Sequence, residues 1–299
     1  MEKLNVRSQI RNNSIKTYAF FLLFIVLAVG MGYFLGYLWG SPAVGIIVAG
    51  MLGIFWVLIN YFSGDKIILS VSGAKEVKKQ EYPYLYNTVE GLSLAAGLPM
   101  PKIYVIDDPS PNAFATGRNP QHSAVAVTTG LLKMMNRQEL EGVLAHEMSH
   151  IKNYDIRIAT VGALLFGVVV IISQMFLRSL WFSGGRDRDN KSGAIILIGI
   201  LFAVLAPLFA QMTRLAISRK REYMADASGA MLTRYPPGLA SALEKISKAN
   251  IPVKRATDTT AHLYISNPLK GRKKSFSGLF STHPPSEKRI DALKKMTVY

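Results

Sequence analysis

Residues 146–150 read His-Glu-Met-Ser-His, and their types and spacing are suited to metal-dependent hydrolysis. On a helix, positions i and i+4 share one face, so His146 and His150 can both reach one zinc ion at about 2.0–2.1 Å. Glu147 would project near the same ion, where its carboxylate can take a proton from water. The pattern therefore predicts a metallopeptidase site with two histidine ligands and Glu147 as the general base.

This spacing works only on a helix, and the preceding residues favour one. Asn136 is a good N-cap, and Glu139 stands three residues later, as in a capping box. An apolar stripe that would hold the helix in place follows at Leu140, Val143, Leu144 and Ile151. The alternative is a chance match in which both histidines are ordinary surface residues.

A catalytic zinc site needs a third protein ligand and one open position. The chain has no cysteine, so that ligand must be a histidine or a carboxylate. The best candidate is Glu222, which stands four residues before Asp226 on a predicted helix, where one of the two can bind the metal and the other can accept a hydrogen bond from a ligand imidazole. The alternative is a solvated helix start after a membrane segment. Asp155 is a weaker candidate for such a partner, and we interpret it mainly as a helix-end or membrane-interface carboxylate.

Composition directs the search for the supporting elements to the membrane. Hydrophobic residues make up 49% of the 299 residues, and the formal net charge is +16. The basic residues cluster beside long apolar stretches, as in the run at 218–221, which favours an anionic membrane surface as their partner. No RNA- or DNA-binding signature accompanies them, so we predict no nucleic-acid partner.

Four apolar segments are long enough to cross a hydrocarbon core of about 30 Å. They lie at 18–38, 43–62, roughly 158–182 and 194–213. The first two are joined by only four residues, which predicts a tight helical hairpin. The last two have an alternative interpretation as a pair of buried core helices in a soluble domain.

The orientation follows from the basic residues, because cytoplasmic loops carry an excess of them. The loop of the first hairpin has none, whereas four bases precede the first segment: Lys3, Arg7, Arg11 and Lys16. An even number of spans would return both catalytic parts to the cytoplasm. The loop of the second hairpin weakens this prediction, since it also holds bases: Arg186, Arg188 and Lys191.

Short strands are predicted between the first hairpin and the zinc helix. Residues 102–106 and 124–128 read as strands, and 112–116 can form another that leads to a turn at 117–121. A sheet edge beside the zinc helix would bind an extended peptide through backbone hydrogen bonds. The alternative is that these strands only cover the core. Residues 251–281 read as a mobile surface segment, with a lid or membrane-surface role as the alternative.

The motifs together resemble those of the HtpX-type membrane zinc proteases, which are relatives of the CAAX prenyl proteases and the mitochondrial Oma-type proteases. The resemblance covers nearly the whole chain, and the matching stretches are 112–117, 146–150, 221–226 and 282–285 with Arg289-Ile290. It implies that Glu222 is the third zinc ligand and Asp226 its hydrogen-bonding partner in the site. It also implies that His283 donates a hydrogen bond to the transition state and that Asn112 lies near bound substrate.

The predicted fold is a mainly α integral membrane protein with about four transmembrane helices and a small β-sheet in a zincin-like catalytic domain. Its parts are a basic cytoplasmic tail (1–17), a transmembrane hairpin (18–62), the catalytic part with the zinc helix (63–157), a second hydrophobic hairpin (158–213) and the remaining catalytic part (214–299).

The predicted activity is that of an endopeptidase with one zinc per chain, in the plasma membrane of a prokaryote. Its active site would face the cytoplasm and cut unfolded or misassembled membrane proteins. Self-cleavage is a further implication of the resemblance. The alternatives are a CAAX-type protease for prenylated peptides, which usually has more spans, and a non-catalytic zinc-binding scaffold, which would not need Glu147.

Overall fold

Two long helices form an antiparallel hairpin at the start of the chain. The structure, a computed structural model, describes residues 6–38, 40–165, 167–168, 219–270 and 284–296. Helix α1 is Val6–Leu38 and helix α2 is Pro42–Ser72. Both hold a stretch long and apolar enough to cross a membrane, Ile10–Tyr37 with a mean hydropathy of 2.3 and Pro42–Ser72 with 2.4. The predicted segments at 18–38 and 43–62 lie within the two helices. Most of the later two segments falls outside the described residues, so a total of four spans stays a prediction.

Glycines bring the two helices of the hairpin into backbone contact. A Cβ atom at Gly32, Gly36 or Gly45 would collide with the backbone of the facing helix. Close approach through small residues is typical of helix pairs in membranes, where no hydrophobic force drives helices together. Large apolar side chains point outward from the pair, among them Leu22, Leu52 and Phe55, each at least 61% exposed. This surface is suited to lipid.

Both hairpin helices extend beyond the predicted spans into the catalytic part. Helix α2 continues ten residues past Phe62, and its Ile68 and Leu69 are buried. Helix α1 begins twelve residues before Tyr18, and its Asn13 and Thr17 are buried. The membrane hairpin is therefore packed into the catalytic part at both ends of its chain.

A four-stranded mixed sheet lies beside the helix that carries residues 146–150. Its strands are β1 Ala74–Glu76, β2 Lys102–Ile106, β3 Ala113–Asn119 and β4 His122–Thr128. The order is β1-β2-β4-β3, in which β2 and β4 are parallel and the other two pairs are antiparallel. The strand predicted at 102–106 is confirmed, and those predicted at 124–128 and 112–116 overlap β4 and β3. Strand β3 forms one edge of the sheet.

The part of the chain that the structure describes holds seven further α-helices. They are α3 Pro83–Ala96, α4 Thr129–Met134, α5 Arg137–Lys152, α6 (155–165), α7 Arg219–Thr233, α8 Pro236–Ala249 and α9 Ser286–Lys294. The main core joins side chains of α3, α5 and α8 to inward-facing residues of β2, β3 and β4. Helix α5 is central to this core, so its motif is held from several directions.

The face of the sheet away from this core is covered by the end of α2, by Ala163 and Leu164 of α6 and by the segment 253–269. Buried side chains of that segment include Val253, Leu263, Tyr264 and Leu269. Ile265 also donates a backbone hydrogen bond to the Ala113 carbonyl of β3 at 2.9 Å. The prediction of a surface segment is wrong for these residues, because their apolar side chains complete a core. Residues 271–281 lie outside the described part.

Candidate metal centre

Helix α5 begins at the predicted capping box. The Asn136 side chain accepts from the backbone N–H of Glu139 at 3.0 Å, and the backbone N–H of Asn136 donates to the Glu139 carboxylate at 2.9 Å. Glu139 also accepts from Ser241 and Lys245 of α8 at 2.6 and 2.7 Å. The start of α5 is thus fixed both locally and against α8, which sets the rotation of the helix that presents the motif.

Three candidate ligands converge at one point in the interior. His146 and Glu222 are 0% and 4% exposed, and His150 is partly buried. The two Nε2 atoms of the histidines are 3.1 Å apart. The Glu222 carboxylate oxygens lie 3.9 Å from Nε2 of His146 and 3.5 Å from Nε2 of His150. In a tetrahedral zinc site with bonds of 2.0–2.1 Å, neighbouring ligand atoms are roughly 3.3–3.4 Å apart, so the spacing fits.

Each imidazole is oriented by a carboxylate on its other nitrogen. His146 donates from Nδ1 to Asp226 at 2.9 Å, and His150 donates from Nδ1 to Asp155 at 3.0 Å. Nε2 is therefore the nitrogen of each imidazole that is left for a metal, and both Nε2 atoms lie within 3.9 Å of the Glu222 carboxylate. Such carboxylate–histidine pairs fix the tautomer and raise the basicity of a metal ligand. The interpretation of Asp155 mainly as a helix-end carboxylate was incomplete: it is the first residue of α6 and also orients His150.

This arrangement of acceptors requires a cation. Two lone pairs 3.1 Å apart, with a carboxylate beside them, repel one another unless a proton or a metal ion lies between them. Burial lowers the pKa of His146 to about 4 despite the nearby Asp226, which keeps its imidazole neutral. Burial also opposes protonation of His150, but the hydrogen bond to Asp155 and the charge of Glu222 raise its pKa to about 9. A metal would replace that proton, as metal binding to histidine does generally.

Glu147 is placed beside this group without belonging to it. Its side chain is 1% exposed, and burial raises its pKa to about 7. Its Oε1 atom has no hydrogen-bond partner within the described part of the chain. A pocket lined by the three candidate ligands, Glu147 and Ala115 of β3 lies in front of it. A buried carboxylate with a free oxygen and a near-neutral pKa is suited to accept a proton from a water in this pocket.

Glu222, Asp226 and Gly229 share the face of α7 that packs on α5. A Cβ atom at Gly229 would lie 2.9 Å from the backbone nitrogen of His146. Only glycine allows α7 to approach α5 closely enough for the two acidic side chains to reach the histidines. The spacing of i, i+4 and i+7 from Glu222 is the signal by which the sequence could have identified this glycine.

Replacing Gly229 with Ala is expected to push α7 away from α5. The added methyl group meets helix backbone, so overpacking should cost about 1–3 kcal/mol of unfolding free energy. The same shift would move Glu222 and Asp226, so the metal should also be released faster. Both quantities can be measured on purified protein in detergent. Gly91→Ala is the matched control, since a Cβ at Gly91 in α3 meets nothing within 4 Å. If Gly229→Ala and Gly91→Ala have the same unfolding free energy and the same rate of metal release, the close approach of α7 to α5 does not require glycine at 229.

Arg289 is a site residue whose role the sequence left unassigned. It is 2% exposed and donates from Nε and Nη2 to the two oxygens of Asp226 at 2.8 and 2.7 Å. Its Nη1 atom donates to the Ile265 carbonyl at 2.8 Å. Burial tends to raise the pKa of Asp226, but the charge of Arg289 holds it below its ordinary value. Arg289 thus keeps Asp226 ionised for its hydrogen bond to His146 and joins α9 to the site.

The roles of two further predicted site residues, Asn112 and His283, stay predictions. Asn112 is buried beside the edge of the sheet, where its Nδ2 donates to the Ser266 carbonyl at 3.1 Å. In this structure it holds the segment 253–269 against β3, and its contact with substrate stays a prediction. His283 lies outside the described residues, and its role as a transition-state donor is likewise a prediction.

An apolar helical hairpin joined to a buried group of metal-ligand residues is the architecture of a membrane metalloprotease, and this chain is one. It belongs to peptidase family M48, whose model matches residues 79–297. It is 51% identical over 302 residues to a protease HtpX homolog of Dictyoglomus turgidum, covering 99% of this chain and 96% of the relative. It is 54% identical over 276 residues to a protease HtpX homolog of Dictyoglomus thermophilum, covering 92% and 88%. The resemblance to HtpX-type proteases is confirmed.

A solved structure supports the fold at a greater distance. The crystal structure of S. mikatae Ste24p matches with a TM-score of 0.52 at 20% identity, covering 96% of this chain and 66% of that one. At this identity the match concerns the fold alone.

Proposed function

We propose that this chain is a zinc-dependent endopeptidase of the prokaryotic plasma membrane that cuts unfolded or misassembled membrane proteins in cytosolic segments close to the bilayer. Other copies of the chain belong to the same substrate class, which includes self-cleavage. The observation that carries the proposal is the position of the candidate metal group beside the contacts that α1 and α6 make with each other.

The residues present fit zinc through two imidazoles and one carboxylate: His146, His150 and Glu222. Bound there, one zinc per chain would supply a Lewis acid that polarises the scissile carbonyl and lowers the pKa of water. Glu147 would take the proton from that water and deliver it to the leaving amine. We propose that His283 donates a hydrogen bond to the oxyanion as it forms. No covalent acyl-enzyme is part of this mechanism.

The metal group lies close to the expected membrane boundary. Asp155, the partner of His150, is the first residue of α6, and residues further along α6 pack on the hairpin. Val161 and Leu165 form a buried cluster with Phe21 of α1. Asp155 also accepts from Asn13 of α1 at 2.8 Å, and Asn13 stands five residues before Tyr18. Five helical residues span about 7–8 Å, so a substrate at this group would be cut next to the bilayer.

Strand β3 is the edge strand of the sheet on the side of the pocket. Its start is covered, because the Ala113 carbonyl accepts from Ile265 and Phe114 bridges to Tyr264. Near its end, the Gly117 amide donates to the Thr160 hydroxyl at 3.4 Å. Ala115 lies between these contacts and lines the pocket. We propose that an extended substrate pairs with β3 there. A strand edge that binds the peptide backbone discriminates little between side chains. The choice of cleavage segment would therefore depend on whether the segment can adopt an extended conformation.

This proposal predicts that substrate stability controls the rate of cleavage. A membrane protein destabilised within its spans should be cut faster than its stable parent when both carry the same cytosolic cleavage segment. Folded domains rarely offer an extended strand, whereas misassembled ones do. The measurement is the initial rate of cleavage of both proteins in the same vesicles, with the Glu147→Gln variant as the blank.

Equal rates for the two membrane proteins would contradict the quality-control part of the proposal. Cleavage restricted to a prenylated peptide would favour the CAAX-type alternative. Zinc binding without any cleavage would favour a non-catalytic scaffold. The cytoplasmic orientation of the site is also our proposal, and it is supported by the bases before the first span and by the even number of predicted spans.

A further inference from the structure

Asn13 of α1 is a polar residue at the membrane end of the catalytic part, and the metalloprotease chemistry described above does not use it. It is 3% exposed, although its neighbour Asn12 is exposed. Burying a side-chain amide is costly unless its hydrogen bonds are made. Its partners therefore indicate why it is buried.

Every group of the Asn13 side chain is paired. Its Nδ2 donates to the Asn153 carbonyl at 3.1 Å and to Oδ1 of Asp155 at 2.8 Å. Its Oδ1 accepts from Nη1 of Arg221 at 2.6 Å. Both partners of the nitrogen are acceptors and the partner of the oxygen is a donor, so the orientation of the amide is unambiguous. An amide alone among short side chains offers this combination of two donors and one acceptor.

These three partners flank two of the candidate metal ligands. Asp155 uses its other oxygen for Nδ1 of His150, and Arg221 immediately precedes Glu222. Arg221 also contacts Asp155 through Nε at 3.5 Å. One side chain on the first membrane helix thus joins the partner of His150 to the start of the helix that presents Glu222.

Asn13 also supports the turn between α5 and α6. Asn153 is the C-cap of α5, and Tyr154 follows with a φ of 59°, in the left-handed region that costs free energy for a residue other than glycine. The bond from Asn13 satisfies the Asn153 carbonyl at this turn. The turn sets the position of Asp155, and therefore the direction in which His150 points.

We propose that Asn13 is a positioning residue of the metal centre, through which the first membrane helix holds His150 and the start of α7 in the metal-binding arrangement. The inference rests on the proposed function, since it assumes a metal at His146, His150 and Glu222. Through Asn13, α1 would help to position the metal ligands as well as anchor the chain in the membrane, because a movement of α1 in the bilayer would displace Asp155 and Arg221.

The first test is Asn13→Ala in the full-length protein in detergent, with Asn12→Ala as the matched control. Removing a residue that hydrogen-bonds directly to a metal ligand typically lowers metal affinity or activity about 10–100-fold. Asn13 acts one contact further away, so we expect zinc release into excess EDTA to accelerate about tenfold. With casein as substrate, kcat should fall while KM stays the same, because substrate does not touch Asn13. If Asn13→Ala does not fold, Asn13→Ser takes its place with the same expectation.

A second test separates positioning from general packing by exchanging donor and acceptor. Asn13→Asp places a carboxylate against Asp155 and should accelerate zinc release more than Asn13→Ala does. Adding Asp155→Asn restores a donor–acceptor pair between the two positions and still offers an oxygen to His150. Zinc release from the double variant should be slower than from Asn13→Asp alone. Independent, additive effects would show that the two residues act separately and would overturn the proposal.

The outcomes distinguish this inference from the proposed function. If the wild-type protein holds zinc and cleaves casein, but Asn13→Ala releases zinc and cleaves like Asn12→Ala, the positioning role of Asn13 is wrong and the protease proposal stands. If the wild-type protein holds no zinc at the three candidate ligands, the proposed function fails, and the inference fails with it.

Discussion

Replacing Glu147 with Gln is expected to lower kcat by about 10²–10⁴-fold while the bound metal is retained. The amide keeps the size and polarity of the side chain but cannot accept a proton from water. Glu147 lies beside the metal group with one oxygen unpartnered among the described residues, so its loss removes no ligand. The measurement pairs turnover of an unfolded protein substrate with metal content on the same preparation.

The matched control for this variant is Glu141→Gln. Glu141 is on the same helix, and its side chain pairs with Arg137 at 3.0 Å on the surface. The control should cleave and bind metal as the wild type does. The wild type should also lose kcat/KM as pH falls, with an apparent pKa at or below about 7, because burial raises the pKa of Glu147 and a bound cation lowers it again. Near-normal proteolysis by Glu147→Gln would rule out Glu147 as the base.

The second large effect is expected from Glu222→Ala, which should release the metal. Removing a residue that only orients a ligand typically costs about 10–100-fold in metal affinity, and removing a ligand should cost more. Asp226→Asn provides the comparison on the same helix, because Asp226 touches His146 and Arg289 but is outside the ligand group. The affinities of both variants can be measured by competition with a chelator of known strength.

Glu244→Ala serves as the surface control, since Glu244 pairs only with Lys248 among the described ion pairs. It should bind metal as the wild type does. Unchanged metal affinity in Glu222→Ala would show that another residue is the third ligand. A greater loss in Asp226→Asn than in Glu222→Ala would exchange the roles of the two carboxylates.

The features that the sequence predicted well are those set within a few residues. The capping box of Asn136 and Glu139 involves positions three apart, and the pairing of His146 with His150 involves positions four apart. The strand at 102–106 is bounded by prolines at 99 and 101 and by polar residues at 107–108. Such patterns follow from local geometry, and tertiary packing does not alter them here.

The supporting contacts of the site could not be predicted in the same way, because they join distant parts of the chain. Asn13 and Asp155 are 142 positions apart, and Arg289 and Asp226 are 63 apart. In the sequence Asn13 resembles any polar residue before a membrane span. Arg289 belongs to a matched motif, but its residue type alone does not indicate a buried ion pair with Asp226.

The segment 253–269 shows the same difficulty at the level of burial. The prediction for residues 251–281 came from their proline, glycine and serine among basic residues, a composition typical of a surface loop. The apolar residues of 253–269 have neither a helical nor a strand period, because they pack from an irregular backbone against the face of the sheet and the end of α2. Which side of a loop is buried depends on a surface that the loop itself does not encode.

The central claim is that His146, His150 and Glu222 bind one zinc ion next to Glu147. X-ray absorption at the zinc edge of the full-length protein, purified in detergent without added chelator, tests this claim most directly. The account predicts about one zinc per chain in a four-coordinate shell of nitrogen and oxygen at about 2.0–2.1 Å, with the scattering signature of two imidazoles. A zinc shell without imidazole, or an unchanged spectrum in the His146→Ala/His150→Ala variant, would contradict it.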